Sequence, residues 1–85
     1  MAPLAVASVP KILESMRRSP ADVRFDEALK VAAHHFGKPR IKGSHHIFKM
    51  PWPGPPAVNL QRGEGSNAKP YQIRELLAAL ARLAA

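Results

Sequence analysis

The sequence predicts an α+β domain, an antiparallel three-stranded sheet covered on one face by two helices in the order α-β-β-β-α, with an extra helix ahead of it. Three observations carry that expectation. Two segments repeat apolar residues at helical spacing, one closed by Gly37 and Pro39, the other opened by Pro70. Between them lie three short stretches of strand character, one of which alternates strictly with a period of two. A Gly-Ser pair and then a proline-rich segment separate these stretches, and both are breaks that strands tolerate only at their ends. An antiparallel sheet covered on one side leaves its other side open for a ligand.

The elements follow in order. Val9, Ile12, Leu13 and Met16 recur at i, i+3, i+4 and i+7, which predicts a short accessory helix. Arg17 and Arg18 suit its last turn, where cations offset the helix dipole, and Ser19-Pro20 ends it. Val23 and Phe25 read as a brief extended piece. Asp26 is the expected N-cap of the second helix, whose apolar face is Leu29, Ala32, Ala33 and Phe36. Gly37 stands at its C′ position, and Pro39 blocks continuation.

Arg40-Ile41-Lys42 is the first strand and turns through Gly43-Ser44 into the second, over residues 45–50. There His46, Phe48 and Met50 share one face, and His45, Ile47 and Lys49 the other. Residues 51–56 hold four prolines and form a rigid connection. The third strand is expected over 57–61, with Val58 and Leu60 facing the helices beside Phe48, and Asn59 or Gln61 on the open side with His45 and Lys49. Residues 62–69 form a polar, glycine-containing loop. Ile73, Leu76, Leu77, Leu80 and Leu83 then keep helical spacing to the end, a core stripe of ordinary globular kind. The expected organisation is an N-terminal extension over 1–24 and the main domain over 25–85.

Charge narrows the function. The 85 residues carry a formal net charge of +7, and no Asp or Glu falls between residues 28 and 63. The same stretch holds Lys30, Lys38, Arg40, Lys42, Lys49, Arg62 and all four histidines. An inert surface mixes its charges, so a long acid-free stretch points to an anionic partner, with RNA the first candidate. There is no cysteine, which excludes a disulfide framework and a thiolate zinc site and fits a reducing cytoplasm. The apolar start lacks a basic n-region and is broken by prolines, so it does not read as a signal peptide. No stretch approaches a membrane span. The expected location is cytoplasmic.

The run Lys42-Gly43-Ser44-His45-His46-x-Phe48-Lys49, followed by a strand, a lysine-containing loop and a leucine-rich last helix, resembles the HicA family of bacterial toxins. These are small ribonucleases of type II toxin–antitoxin systems. The resemblance covers about residues 26 to 83, most specifically at Gly-Ser-His-His, and by pattern alone thereafter. It implies a fold similar to a double-stranded-RNA-binding domain (dsRBD), mRNA cleavage without a metal or other cofactor, and neutralisation by a HicB-type antitoxin that covers the active face. The histidine directly after Gly-Ser is the family's catalytic residue, which here is His45. The chain departs from the family in its first ~25 residues, which the shortest members lack, and in a bulkier loop carrying Trp52 between prolines. Both bear on antitoxin docking or substrate access, and neither touches Gly-Ser-His.

The chemistry suits these residue types. RNA brings its own nucleophile, the 2′-hydroxyl. Imidazole, with an ordinary pKa of ~6.5, can take or give a proton near neutral pH. Lys42, Lys49 and the backbone N–H groups of Gly43 and Ser44 would hold the phosphate, with Arg40 and Lys38 extending the contact. A single histidine with no evident partner implies slow catalysis.

Each residue also has a plainer reading. On the residues alone, the preferred reading of His45 is a surface histidine at a hairpin tip. Gly43 can be an ordinary hairpin glycine, and Ser44 can merely close the turn; Ser44-His45 is not a nucleophile–base pair, since neighbours on a strand point apart. His46 reads as a packed, hydrogen-bonded histidine. His34 and His35 belong on a helix surface near a C-terminus, where positive charge is favoured, and adjacent histidines diverge too far to make a metal site with His45 and His46. Trp52 either stacks on a base or packs on its prolines, with packing preferred. Lys69, Arg74 and Arg82 either extend the phosphate track or are solvated helix charge. The competing functions are a non-enzymatic RNA-binding module of the same fold and a protein-interaction domain that docks an acidic partner.

Overall fold

The computed structural model describes residues 8–54 and 57–85, so the reading of the chain's first seven residues, and of Pro55 and Pro56 in the proline-rich connection, lies outside the described residues. The elements run α1 (Val9–Arg18), α2 (Phe25–Phe36), β1 (Arg40–Lys42), β2 (His45–Phe48), β3 (Val58–Leu60) and α3 (Pro70–Ala84). The three strands form one antiparallel sheet in the order β1-β2-β3. No helix among the described residues is long and apolar enough to cross a membrane.

β1 has the expected bounds, while β2 and β3 are shorter than expected. β2 ends at Phe48 and β3 begins at Val58, yet Met50 is still buried beyond the strand end. The prolines explain the loss. Pro51 and Pro53 lack the N–H that a ladder needs, so pairing stops before the connection begins. At the other end the hairpin turns on Gly43 and Ser44, with Lys42 opposite His45. Gly43 has φ +60° and Ser44 does not have positive φ, the combination of a type II′ turn. A side chain at Gly43 would meet open space, so the backbone angle accounts for the glycine.

α1 begins where Ser8 Oγ accepts the Lys11 N–H at 3.4 Å, with Pro10 in the first turn. α2 corrects the expected cap. It starts at Phe25, its N-cap is Arg24, and no side chain caps it; Asp26 lies inside the first turn, where its carboxylate accepts the Glu27 N–H at 2.9 Å. The loop before α3 displaces the cap. Arg24 bridges Asn67, the Phe25 N–H donates to Ser66 O at 2.8 Å, and the Ala68 N–H donates to Val23 O at 2.8 Å. The extended piece expected at Val23 and Phe25 is therefore the edge on which the 62–69 loop is pinned, and Phe25 itself is helical.

α2's buried stripe is Phe25, Ala28, Val31 and Ala32; Leu29 and Phe36 pack at its margin, and Ala33 is exposed rather than buried. The face is rotated because α2 is packed from several sides, by α1, by α3 and by strands β2 and β3. α3 buries Ile73, Leu76 and Leu80, while Leu83 at its end is exposed.

Phe48, Val58 and Leu60 point to the helices as expected and are buried. The cover is incomplete, however. α2 touches β2 and β3, α3 touches β3, and no helix packs on β1. Ile41, on the helix side of β1, is 64% exposed for that reason. α1 contributes Ile12 and Met16 to the same cluster as the sheet residues, so one core runs across residue 24.

Met16, 1% exposed, gives a direct measure of that continuity. Met16→Ala is expected to cost about 2–5 kcal/mol in urea unfolding, the usual loss for a buried large-to-small change. A cost near zero would mark α1 as an appendage.

Candidate nucleic-acid interface

Strand pairing builds the open face in two rows. Arg40 pairs with Ile47, and Ile47 with Asn59. Lys42 pairs with His45. Since His46 pairs with Leu60, Gln61 falls opposite His45 one step beyond the ladder. Residues directly opposite share a face, so one side of the sheet presents Arg40, Lys42, His45, Ile47, Asn59 and Gln61 together. Arg40, Ile47, Lys49 and Ala57 line a single depression at the far end of this face. Alternation along residues 45–50 had put His45 and Lys49 on this side, and the register sets Arg40 and Lys42 beside them. Lys38 lies apart from them, exposed in the link between α2 and β1.

His45 is half-buried, and its ring is held. Asn59 Nδ2 lies 2.9 Å from His45 Nδ1, and Asn59 Oδ1 lies 3.3 Å from the same nitrogen. The expectation of a histidine without a partner is corrected here. Alternation alone put Asn59 on this face; the register that brings it beside His45 depends on where the proline-rich connection lets β3 begin.

Behind the hairpin runs a polar chain that sequence reasoning missed. Gln72, in the first turns of α3, is buried at 1% exposure. Its Oε1 accepts the Gln61 backbone N–H at 2.7 Å, and its Nε2 contacts Gln61 Oε1 at 3.4 Å and Tyr71 Oη at 3.3 Å. Gln61 Oε1 also accepts from Lys69 Nζ at 3.3 Å, while Gln61 Nε2 donates to Ser44 Oγ at 3.2 Å. Ser44 is accordingly fixed through its oxygen, with its own O–H still able to donate. Lys69 is half-buried on this chain rather than a fully solvated charge. A glutamine within a leucine-rich helix gave no signal of this role, because nothing in helical periodicity separates a buried glutamine from a boundary one.

The remaining candidates resolve into packing. His46 faces the helices, edge-on to Phe25 with ring centroids 5.2 Å apart. It is packed, but the expected hydrogen bond is missing: Nδ1 is buried and finds no partner among the described residues. Trp52 packs rather than stands free, edge-on to Phe36 at 6.3 Å, with the Arg82 guanidinium 4.3 Å over its ring. Arg82 is thereby engaged, and Arg74 is exposed. His34 and His35 are exposed in the last turn of α2, their rings 5.0 Å apart. Slight desolvation beside Leu13 and Leu80, and then the charge of His34, push the His35 pKa below its ordinary value, so positive charge is not favoured there as the helix end alone suggested. Among the described residues no group of three or more His, Asp or Glu gathers as a metal site.

No family model matches this chain, and neither the curated proteins nor the solved structures hold a match to it.

Two measurements follow. Gln72→Leu strands the Gln61 N–H in the core, so a loss of about 1–3 kcal/mol in urea unfolding is expected, with faster hydrogen exchange at the Gln61 amide. A lowered folded-state pKa at His35 means that the unfolded chain binds the proton more readily. The stability from this group is complete above the ordinary histidine value of ~6.5 and declines as pH falls through the folded value. His34 and Arg17 are the charges beside it. His35→Gln is expected to lose less stability than the parent chain as pH falls below about 6.5.

Proposed function

We propose that this chain is an endoribonuclease of the HicA toxin kind on a dsRBD-like fold, cleaving mRNA without a metal and restrained by an acidic HicB-type antitoxin. The observation that carries the reading is the position of His45. It stands on the open face of the sheet at the end of the Gly-Ser turn, with Lys42 opposite, Arg40 and Lys49 farther along, and no carboxylate in any strand. A cationic surface with one proton-exchanging group at its centre suits a polyanion whose phosphodiester is to be broken.

The substrate's 2′-oxygen attacks the adjacent phosphorus while its proton passes to a base. The bond from phosphorus to the 5′-oxygen breaks, and that oxygen gains a proton. The products are a 2′,3′-cyclic phosphate and a 5′-hydroxyl, with no water consumed. His45 exchanges the proton through Nε2, since Nδ1 faces Asn59. Lys42 and the backbone N–H groups of Gly43 and Ser44 stabilise the charge that builds on the phosphate oxygens. Arg40 and Lys49 bind flanking phosphates, and Lys38 lengthens the track. One positioned acid–base group contributes about 10²–10⁴-fold, a modest rate that suffices against mRNA. An acidic antitoxin laid over the same cations blocks the substrate's approach.

End-labelled single-stranded RNA in excess EDTA is expected to be cut by the parent chain and not by His45→Ala. RNA with 2′-deoxyribose at the cut site is expected to resist. Binding without cleavage by both proteins would leave an RNA-binding module, and cleavage of the deoxy substrate would remove the 2′-hydroxyl mechanism.

A further inference from the structure

We infer that Asn59 is a positioning residue for His45, holding Nδ1 so that Nε2 is the atom offered to the RNA. The inference rests on the ribonuclease reading for its catalytic consequence, though not for its geometry. β3 fixes Asn59 from both sides, because Val58 and Leu60 are buried at 4% and 0% exposure and leave the residue between them on the open face. The ladder sets Asn59 against Ile47, one alternation away from His45 on the same face. From there its amide reaches the imidazole diagonally, at 2.9 Å through Nδ2 and 3.3 Å through Oδ1.

An amide is the side-chain head that suits every state of a histidine at work. With Nδ2 nearest, the amide donates to a bare Nδ1, and the ring's proton sits on Nε2, ready to donate to a phosphate oxygen. Rotation of the amide brings Oδ1 to a protonated Nδ1, and Nε2 becomes the bare nitrogen that a base requires. The imidazolium, with both nitrogens protonated, is served by Oδ1 as well. The ring passes through these states without moving, because only the terminal amide turns. A carboxylate would accept only and would hold one tautomer; alanine would hold none.

The other groups around the ring do not offer this service. Lys42 from β1 is a cation that only donates, and Gln61, just beyond β3, is committed to Ser44, Lys69 and Gln72. Lys69 stands behind Gln61, and the strands bring no carboxylate to the face.

The test reads the ring and the reaction separately, on the full chain. Long-range nitrogen–proton correlation spectra report which nitrogen of His45 carries the proton. Asn59→Ala is expected to change the His45 nitrogen shifts while those of His34 and His35 stay put. Asn59→Asp is expected to place the proton on Nδ1. In RNA cleavage, Asn59→Ala is expected to lower kcat about 10- to 100-fold with KM little changed, the usual penalty for losing a group that orients a histidine. Asn59→Asp is expected to restore part of kcat and to move the pH profile upward, since an added negative charge favours the protonated ring. Identical His45 spectra in the parent chain and Asn59→Ala would overturn the inference, as would a kcat unchanged in Asn59→Ala. Altered spectra in a protein that cuts no RNA would keep the Asn59 contact and remove the ribonuclease reading instead.

Discussion

The pairing of Phe48 with Val58 is the constraint from which the site follows. Both side chains are buried, Phe48 completely, and Leu60 joins them two residues on. Side chains on a strand alternate without exception, so burying these three dictates that His45, Asn59 and Gln61 face the other way. A slip of one residue would turn Phe48 to solvent and drive His45 into the helices. Each large apolar side chain moved out of the core costs about 1.5–3 kcal/mol, and the slip moves several at once. The geometry of the polar face is therefore enforced by the apolar one. His45 and Asn59 need no strong attraction of their own to meet, because packing on the far side delivers them.

That division explains what could be read from the sequence. The helices were legible because their apolar spacing extends over several turns, and α1 runs over the segment whose spacing marked it. The two faces of β2 were legible because four residues of strict alternation suffice to separate His45 from Phe48. Position within an element was less legible. α2 starts at Phe25 because a distant loop supplies the hydrogen bonds at its entrance, and no local pattern at Asp26 records that. The incomplete cover of β1 was hidden for a similar reason. Ile41 looks like a core residue in any window of sequence, and only the placement of α2 and α3 leaves it exposed.

Contacts across the sheet were the least legible. Asn59 and His45 are fourteen residues apart, and Gln61 and Gln72 eleven. Both contacts depend on register, which the proline-rich connection and the pinned loop before α3 set between them. The buried Gln72 shows how closely stability and site are joined. It closes the end of β3 by accepting the Gln61 N–H, and the same Gln61 side chain then holds Ser44 beside the catalytic candidate. One carboxamide in the core thus anchors the hairpin that carries His45.

β1 has a further consequence as the outermost strand of the sheet. An unpaired edge is a template for the edge of another copy, and the apolar Ile41 adds to the attraction. Arg40 and Lys42 flank Ile41, and all three residues of the strand are exposed. Two such edges brought together would set cation against cation, so Arg40 and Lys42 oppose polymerisation of the protein through its own sheet. This protection is electrostatic and reaches only as far as the ionic atmosphere permits, about 10 Å at 0.1 M salt and about 3 Å at 1 M. Neutralising Arg40 and Lys42 would remove this repulsion and leave the apolar Ile41 on an open edge.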